Sequence, residues 1–277
     1  MPQRAAFWFA FEASHFYRLP HLSEEENARQ FGKASRLHGH NYRVQVVSRV
    51  EPNEPIACRE QRAQAIRQRI DELFDHRCIN LEHPAFQSQL PTTENLAVYL
   101  YRDLREQLNA PVESVSVHES ETLAAHYAGE QTLGVAGRAH PVVSMTRVYT
   151  FSAAHRLYNP QLSEEANRAL YGKCANPHGH GHDYRLEITV KGVPDPLTGM
   201  VMNLTELDAL VSNEVLTHLD HKFLNAETPP FDQIPPTSEN LVVFIVERLR
   251  PRLQGGVQLA KVRLWETPRS CFEWEAG

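Results

Sequence analysis

Tyr184, Leu186, Ile188 and Val190 alternate with Arg185, Glu187 and Thr189, the two-residue period of a strand with one face buried. Residues 205–219 and 239–249 carry their apolar side chains at helical spacing instead, with Thr237 or Ser238 placed to cap the second helix. Residues 257–265 are strand-like again, and 271–274 fit a short last strand. With an opening strand at 148–155, the order is strand, strand, helix, helix, strand, strand. This predicts an α+β fold with an antiparallel sheet. The same order starts earlier from the apolar run at 5–11, with helices expected near 59–74 and 93–108.

The two halves match residue by residue, which makes duplication the organising feature. Phe11-Glu12-Ala13-Ser14-His15 returns as Phe151-Ser152-Ala153-Ala154-His155, and Leu22-Ser23-Glu24-Glu25 as Leu162-Ser163-Glu164-Glu165. Gly32-Lys33 returns as Gly172-Lys173, and His38-Gly39-His40-Asn41-Tyr42 as His180-Gly181-His182-Asp183-Tyr184. Asp75-His76 matches Asp220-His221; Pro91-Thr92-Thr93-Glu94-Asn95-Leu96 matches Pro236-Thr237-Ser238-Glu239-Asn240-Leu241; Val117-His118-Glu119 matches Leu264-Trp265-Glu266. The Gly-containing stretch from 129 to 141 is the natural linker, giving two expected domains, 1–135 and 141–277.

Composition narrows the class. Of 277 residues, 42% are hydrophobic and 22% charged, a balance suited to globular domains with real cores. The net charge is -6 and no dense Lys/Arg block occurs, so no nucleic-acid partner is expected. Arg4 and the apolar run after it resemble a short secretory signal, but the run ends in Glu12 and His15 and recurs mid-chain, so it is read as a strand. No apolar stretch approaches the ~20 residues that cross a bilayer, and no membrane partner is expected. Cys58, Cys78, Cys174 and Cys271 form no CxxC pair, which suggests a reducing, cytoplasmic setting.

His180 and His182 are two apart, so in a strand they share a face and one cation can take both imidazoles. Gly181 between them leaves the approach open. His155 ends a strand that could pair alongside and supply the third ligand. Three neutral imidazoles without a fourth protein ligand is the pattern of a catalytic zinc, which keeps one position for water or substrate. His15, His38 and His40 repeat the set. His178-Gly179-His180 is also an HxH, but it has no counterpart in the first copy. A lone HxH is about as often an ordinary surface or core pair; recurrence with a third histidine in register argues against that reading.

At these residues the second copy resembles 6-pyruvoyl-tetrahydropterin synthase, from Phe151 to Glu266. The matching segments run Phe151-Ser152-Ala153-Ala154-His155-Arg156-Leu157, Gly172-Lys173-Cys174, Gly179-His180-Gly181-His182-Asp183-Tyr184, Asp195 to Leu204, Leu219-Asp220-His221 and Glu266-Thr267. A relative in queuosine biosynthesis, 6-carboxy-tetrahydropterin synthase, shares most of them. The resemblance implies a T-fold, in which sheets from several subunits join into a barrel with helices outside. It implies a pterin triphosphate substrate, 7,8-dihydroneopterin triphosphate. Zinc would be held by His155, His180 and His182, Cys174 would be the general base tuned by Asp220 and His221, and Glu266 would anchor the pterin. Six copies per assembly in the family imply a homo-oligomer of three two-copy chains. Taken without the family, Cys174 could equally be a small buried filler, Asp220-His221 a helix-end ion pair and Glu266 an exposed strand charge.

The first copy keeps His15, His38, His40, Asp75-His76 and Glu119, but has Ala34 where the second has Cys174. It also lacks a counterpart of residues 195–204. Alanine moves no proton, so this copy is expected to be catalytically degenerate while able to bind zinc, with Glu119 its candidate pterin ligand. Two other readings stand beside the lyase: the carboxy-forming relative, and a non-catalytic zinc- and pterin-binding protein.

Overall fold

The computed structural model describes residues 3–134 and 137–277; the expected end of the first domain, residue 135, lies outside the described residues. The chain forms two compact units. Unit 1 is Met1–Thr146 with Val190–Thr205, and unit 2 is Arg147–Thr189 with Glu206–Gly277. The units follow the repeat except for residues 141–146 and Val190–Thr205, which belong to the second copy in sequence and to unit 1 in space.

In unit 1, β1 (Gln3–His15) pairs antiparallel with β2 (His38–Val50), so that His15 faces His38 and Ala13 faces His40. Between them lies α1 (Glu24–Phe31). After β2 come α2 (Ile56–Phe74), the two-residue β3 (Arg77–Cys78), a single turn α3 (Ile79–Glu82) and α4 (Thr93–Gln107). The antiparallel strands β4 (Val112–His118) and β5 (Leu123–Tyr127) complete the sheet in the order β5-β4-β2-β1-β3. A small hairpin, β6 (Gln131–Leu133) with β7 (Ala139–Pro141), stands apart. Alternation along β2 and β4 sends Tyr42, Val44, Val46, Val115 and Val117 to the core side, where Ile66, Ile70 and Phe74 of α2 and Leu96, Leu100 and Leu104 of α4 are buried. Burying side chains of this size is worth about 1.5–3 kcal/mol each, which is what holds two amphipathic helices on one sheet face.

Unit 2 repeats the plan. The strands β8 (Val143–His155), β9 (His180–Gly192), β11 (Gln258–Thr267) and β12 (Ser270–Glu275) lie in the order β12-β11-β9-β8, and the two-residue β10 (Lys222–Phe223) runs beside β8. Its helices are α5 (Glu164–Tyr171), α6 (Leu204–Val211), α7 (Thr217–Leu219), α8 (Leu224–Glu227) and α9 (Ser238–Leu249). Phe11 stacks on Tyr42 at 4.7 Å and Phe151 on Tyr184 at 4.9 Å, so the pairing of first and second strands is locked by the same contact twice.

Three expectations change in detail. The sheet is mixed rather than purely antiparallel, because β3 runs parallel to β1 and β10 parallel to β8. Residues 205–219 are not one α-helix: Ser212–Leu216 is π-helical, and Thr217 gives both its N–H and its hydroxyl to the Ser212 carbonyl five residues back. The helices α1 and α5 were not expected, since they are short and largely polar; α1 begins on a reciprocal Ser23–Glu26 capping box and α5 on a Ser163 cap. Thr237, not Ser238, caps α9. Among the described residues, no helix is long and apolar enough to cross a membrane.

Candidate functional site

In unit 2 the ends of two adjacent strands bring three imidazoles together. His180 and His182 share a face of β9, and His155 closes β8 beside them. Their ligand nitrogens all lie within 4.8 Å of one another, and His155 Nε2 is 3.1 Å from His180 Nε2. The Nδ1–H of His155 donates to the Pro236 carbonyl at 2.8 Å, which leaves Nε2 bare and fixes the ring that points inward. His155 is 1% exposed. Burial first, then the neighbouring imidazoles, pushes its pKa down from 6.5 to about 4; burial also lowers that of His180. Both rings are therefore neutral near pH 7, the state a metal needs.

A metal ion fits this donor set. His182 Nε2 is buried with no hydrogen-bond partner among the described residues, and buried polar atoms are seldom left so. Zinc–nitrogen bonds of about 2.0–2.1 Å in a tetrahedron space the donors by about 3.3 Å, near the His155–His180 separation. Unit 1 repeats the arrangement with His15, His38 and His40. There His38 Nδ1–H donates to the Arg36 carbonyl at 2.7 Å, and His40 Nε2 is buried without a partner among the described residues. Burial and the adjacent rings lower His15 to about 3 and His40 to about 4.

A glutamate faces each triad, Glu266 from within β11 and Glu119 from just past the end of β4. Glu266 Oε1 lies 3.5 Å from His155 Nε2 and 3.7 Å from His182 Nε2. Glu119 lies 3.5 Å from His40 Nε2 and 3.8 Å from His15 Nε2. Cys174 is half-buried in a 3-10 turn, and its carbonyl accepts the Leu157 N–H at 2.8 Å, two residues beyond His155.

Asp220 and His221 sit elsewhere in the unit. Asp220 Oδ1 accepts the Ser152 N–H at 3.0 Å and lies 2.9 Å from His221 Nδ1. His221 holds a left-handed φ of 56°, and its counterpart His76 one of 55°. That conformation is sparsely used by residues other than glycine and is kept by the N–H of His221 donating to the Ser152 carbonyl at 2.6 Å. The His221 side chain is 81% exposed. It borders an open cleft of about 460 Å³ that Gly181, Asp183, His182 and Lys222 also line and that Cys174 does not.

Gly181 corrects one expectation. A Cβ there would lie 3.2 Å from the Ala153 carbonyl oxygen, so the glycine lets β8 and β9 approach closely rather than opening a path to a metal. Sequence reasoning also passed over three contributors: the Pro91 and Pro236 carbonyls that orient His15 and His155, and Tyr17, whose hydroxyl donates to Glu119. The repeated Pro-Thr-(Thr/Ser)-Glu-Asn segment was the signal for the carbonyls; Tyr17 has no repeat partner to flag it.

Fold and site define a duplicated α+β protein with two three-histidine clusters, each faced by a glutamate. The chain belongs to the 6-pyruvoyl tetrahydropterin synthase family, whose sequence model matches residues 6–130 and again 144–276. It is 45% identical over 134 residues to the 6-pyruvoyl tetrahydrobiopterin synthase of Drosophila melanogaster, which covers 48% of this chain and 80% of that one. It is 46% identical over 131 residues to the Homo sapiens 6-pyruvoyl tetrahydrobiopterin synthase, covering 47% and 90%. The solved structure of Caenorhabditis elegans 6-pyruvoyl tetrahydropterin synthase aligns at 37% identity with a TM-score of 0.47, over 50% of this chain and 98% of that one. Each relative thus matches about half of the present chain.

Proposed function

We propose that this protein converts 7,8-dihydroneopterin triphosphate to 6-pyruvoyl-tetrahydropterin, releasing triphosphate, at the second-copy site. The observation that carries this reading is the convergence of His155, His180 and His182 with Glu266 in one cluster. Cys174 stands on the loop whose backbone holds the chain just past His155. His155, His180 and His182 would hold zinc, which when bound polarises side-chain oxygens and acidifies the adjacent C–H. Glu266 accepts two parallel hydrogen bonds from the pterin amide and amino groups, a geometry that rejects other rings. Cys174 removes the proton from the side-chain carbon as general base.

Asp220 and His221 are too exposed to serve as a buried acid–base pair within their own unit. We assign them to a site completed by another copy in an assembly of three chains closing into T-fold barrels, with exposed sheet edges paired away.

The test is incubation of the purified, metal-replete chain with 7,8-dihydroneopterin triphosphate and identification of products by mass. The pyruvoyl product is expected. A carboxy product would move the chain to the queuosine-type reaction, and no turnover would defeat the enzyme reading. Cys174→Ala should lower turnover by a factor of about 10² to 10⁴ with metal content unchanged. Near-normal turnover in that variant would mean Cys174 is not the base.

A further inference from the structure

In the first copy the space beside Glu119 is taken by a residue of the same chain. Tyr17 N–H donates to the Ala34 carbonyl at 2.8 Å, as Leu157 N–H does to the Cys174 carbonyl at 2.8 Å. Two residues on, Leu19 N–H donates to Asn27 as Asn159 N–H does to Asn167. The backbones are thus in step, and Tyr17 stands where unit 2 has Leu157. Leu157 is half-buried, whereas Tyr17 is 2% exposed, and its hydroxyl donates to Glu119 Oε2 at 3.0 Å. The other carboxylate oxygen faces His40 at 3.5 Å. The Tyr17 ring lies edge-on to His15 at 4.9 Å and packs with Leu19, Phe31, Leu90, Met200 and Ala34.

We propose that Tyr17 closes the first-copy pocket to pterins, leaving His15, His38 and His40 as a metal site without a substrate, so that each chain binds one pterin and not two. A pterin at Glu119 needs both carboxylate oxygens, as at Glu266. It would have to take Oε2 from a buried phenol and evict an aromatic ring from apolar packing, which forfeits that ring's burial as well as its hydrogen bond. At Glu266 the corresponding side chain is a leucine with no polar atom to compete. Ala34 opposite Cys174 and Tyr17 opposite Leu157 then act together: beside the first triad the chain offers core where the second offers a base and open space. The inference rests on Glu266 being the pterin anchor of the second copy.

Equilibrium dialysis of the full, metal-replete chain against neopterin, which has the ring but no triphosphate, tests it by counting. The wild type should bind one neopterin per chain and Glu266→Gln none. Tyr17→Leu should bind two, and Tyr17→Leu combined with Glu266→Gln one, all with wild-type metal content because no histidine is touched. Two neopterins per wild-type chain, or one retained by Glu266→Gln, would overturn the proposal. So would a folded Tyr17→Leu chain that gains no site. If Tyr17→Leu does not fold, the wild-type and Glu266→Gln counts still decide. No binding by the wild type with one site gained in Tyr17→Leu would sink the Glu266 reading and uphold the closure. No binding by either would sink both.

Discussion

His15 and His155 are carried into the interior as neutral imidazoles, with 0% and 1% of their surface exposed. Their folded pKa values, about 3 and about 4, lie below the ordinary 6.5. As pH falls through 6.5 the unfolded chain takes up protons that the folded chain refuses, so this contribution to stability is full above 6.5 and declines toward pH 4. The urea midpoint of the metal-free protein should therefore be lower at pH 5 than at pH 7.5. His15→Gln should flatten that slope. A midpoint independent of pH across the window would mean that water reaches the rings. At this scale the sequence was most legible where chemistry repeats: His15, His38 and His40 against His155, His180 and His182 needed no structure. It was least legible where the copies diverge, because Tyr17 in place of Leu157 carries no pattern, and where a residue acts through its backbone, as Gly181, Pro91 and Pro236 do.

Among the elements, α4 has the unexpected neighbour. The Thr92 cap gives its hydroxyl to the Gly199 carbonyl at 2.7 Å while accepting the Asn95 N–H. Glu94, fully buried, accepts the Val201 N–H at 3.0 Å and the Thr93 hydroxyl at 3.1 Å. Burial raises its pKa despite these donors. Asp195 shapes the incoming turn by accepting the N–H groups of Leu197 and Thr198, and Met200 and Val201 are each 6% exposed. Gly199 has φ 69°, and a Cβ there would collide with Asn95 and lie 3.1 Å from the Thr92 hydroxyl. Gly199→Ala should thus destabilise unit 1 by about 1–3 kcal/mol, and amide exchange at Val201 should speed up with it. Unchanged exchange would mean the loop docks without this turn. Periodicity revealed the strands and the long helices, whose apolar faces are continuous. It could not reveal that residues 195–203, placed by sequence in the second copy, serve as lining for the first, since a contact made by backbone N–H groups and one glycine leaves no period. The matched helix start in unit 2 has Glu239 exposed, so one motif has two fates.

The molecule as a whole is two copies of one plan under unequal constraint. The proposed assembly of three chains predicts that light scattering of the purified protein reports about three times the chain mass of 31.6 kDa; a monomer at working concentration would defeat the barrel assembly. Duplication ordinarily leaves two modules that can be parted, but the docking of residues 195–203 in unit 1 forbids that here. A gene cut in the connector near residue 137 would yield an N-terminal product whose buried Glu94 loses its amide donor and takes on water. The C-terminal product would display Met200 and Val201 to any surface that accepts them. Shuffling, trimming and separate expression therefore fall hardest on the first copy, because unit 1 is folded partly out of the second copy's text while unit 2 takes nothing from the first.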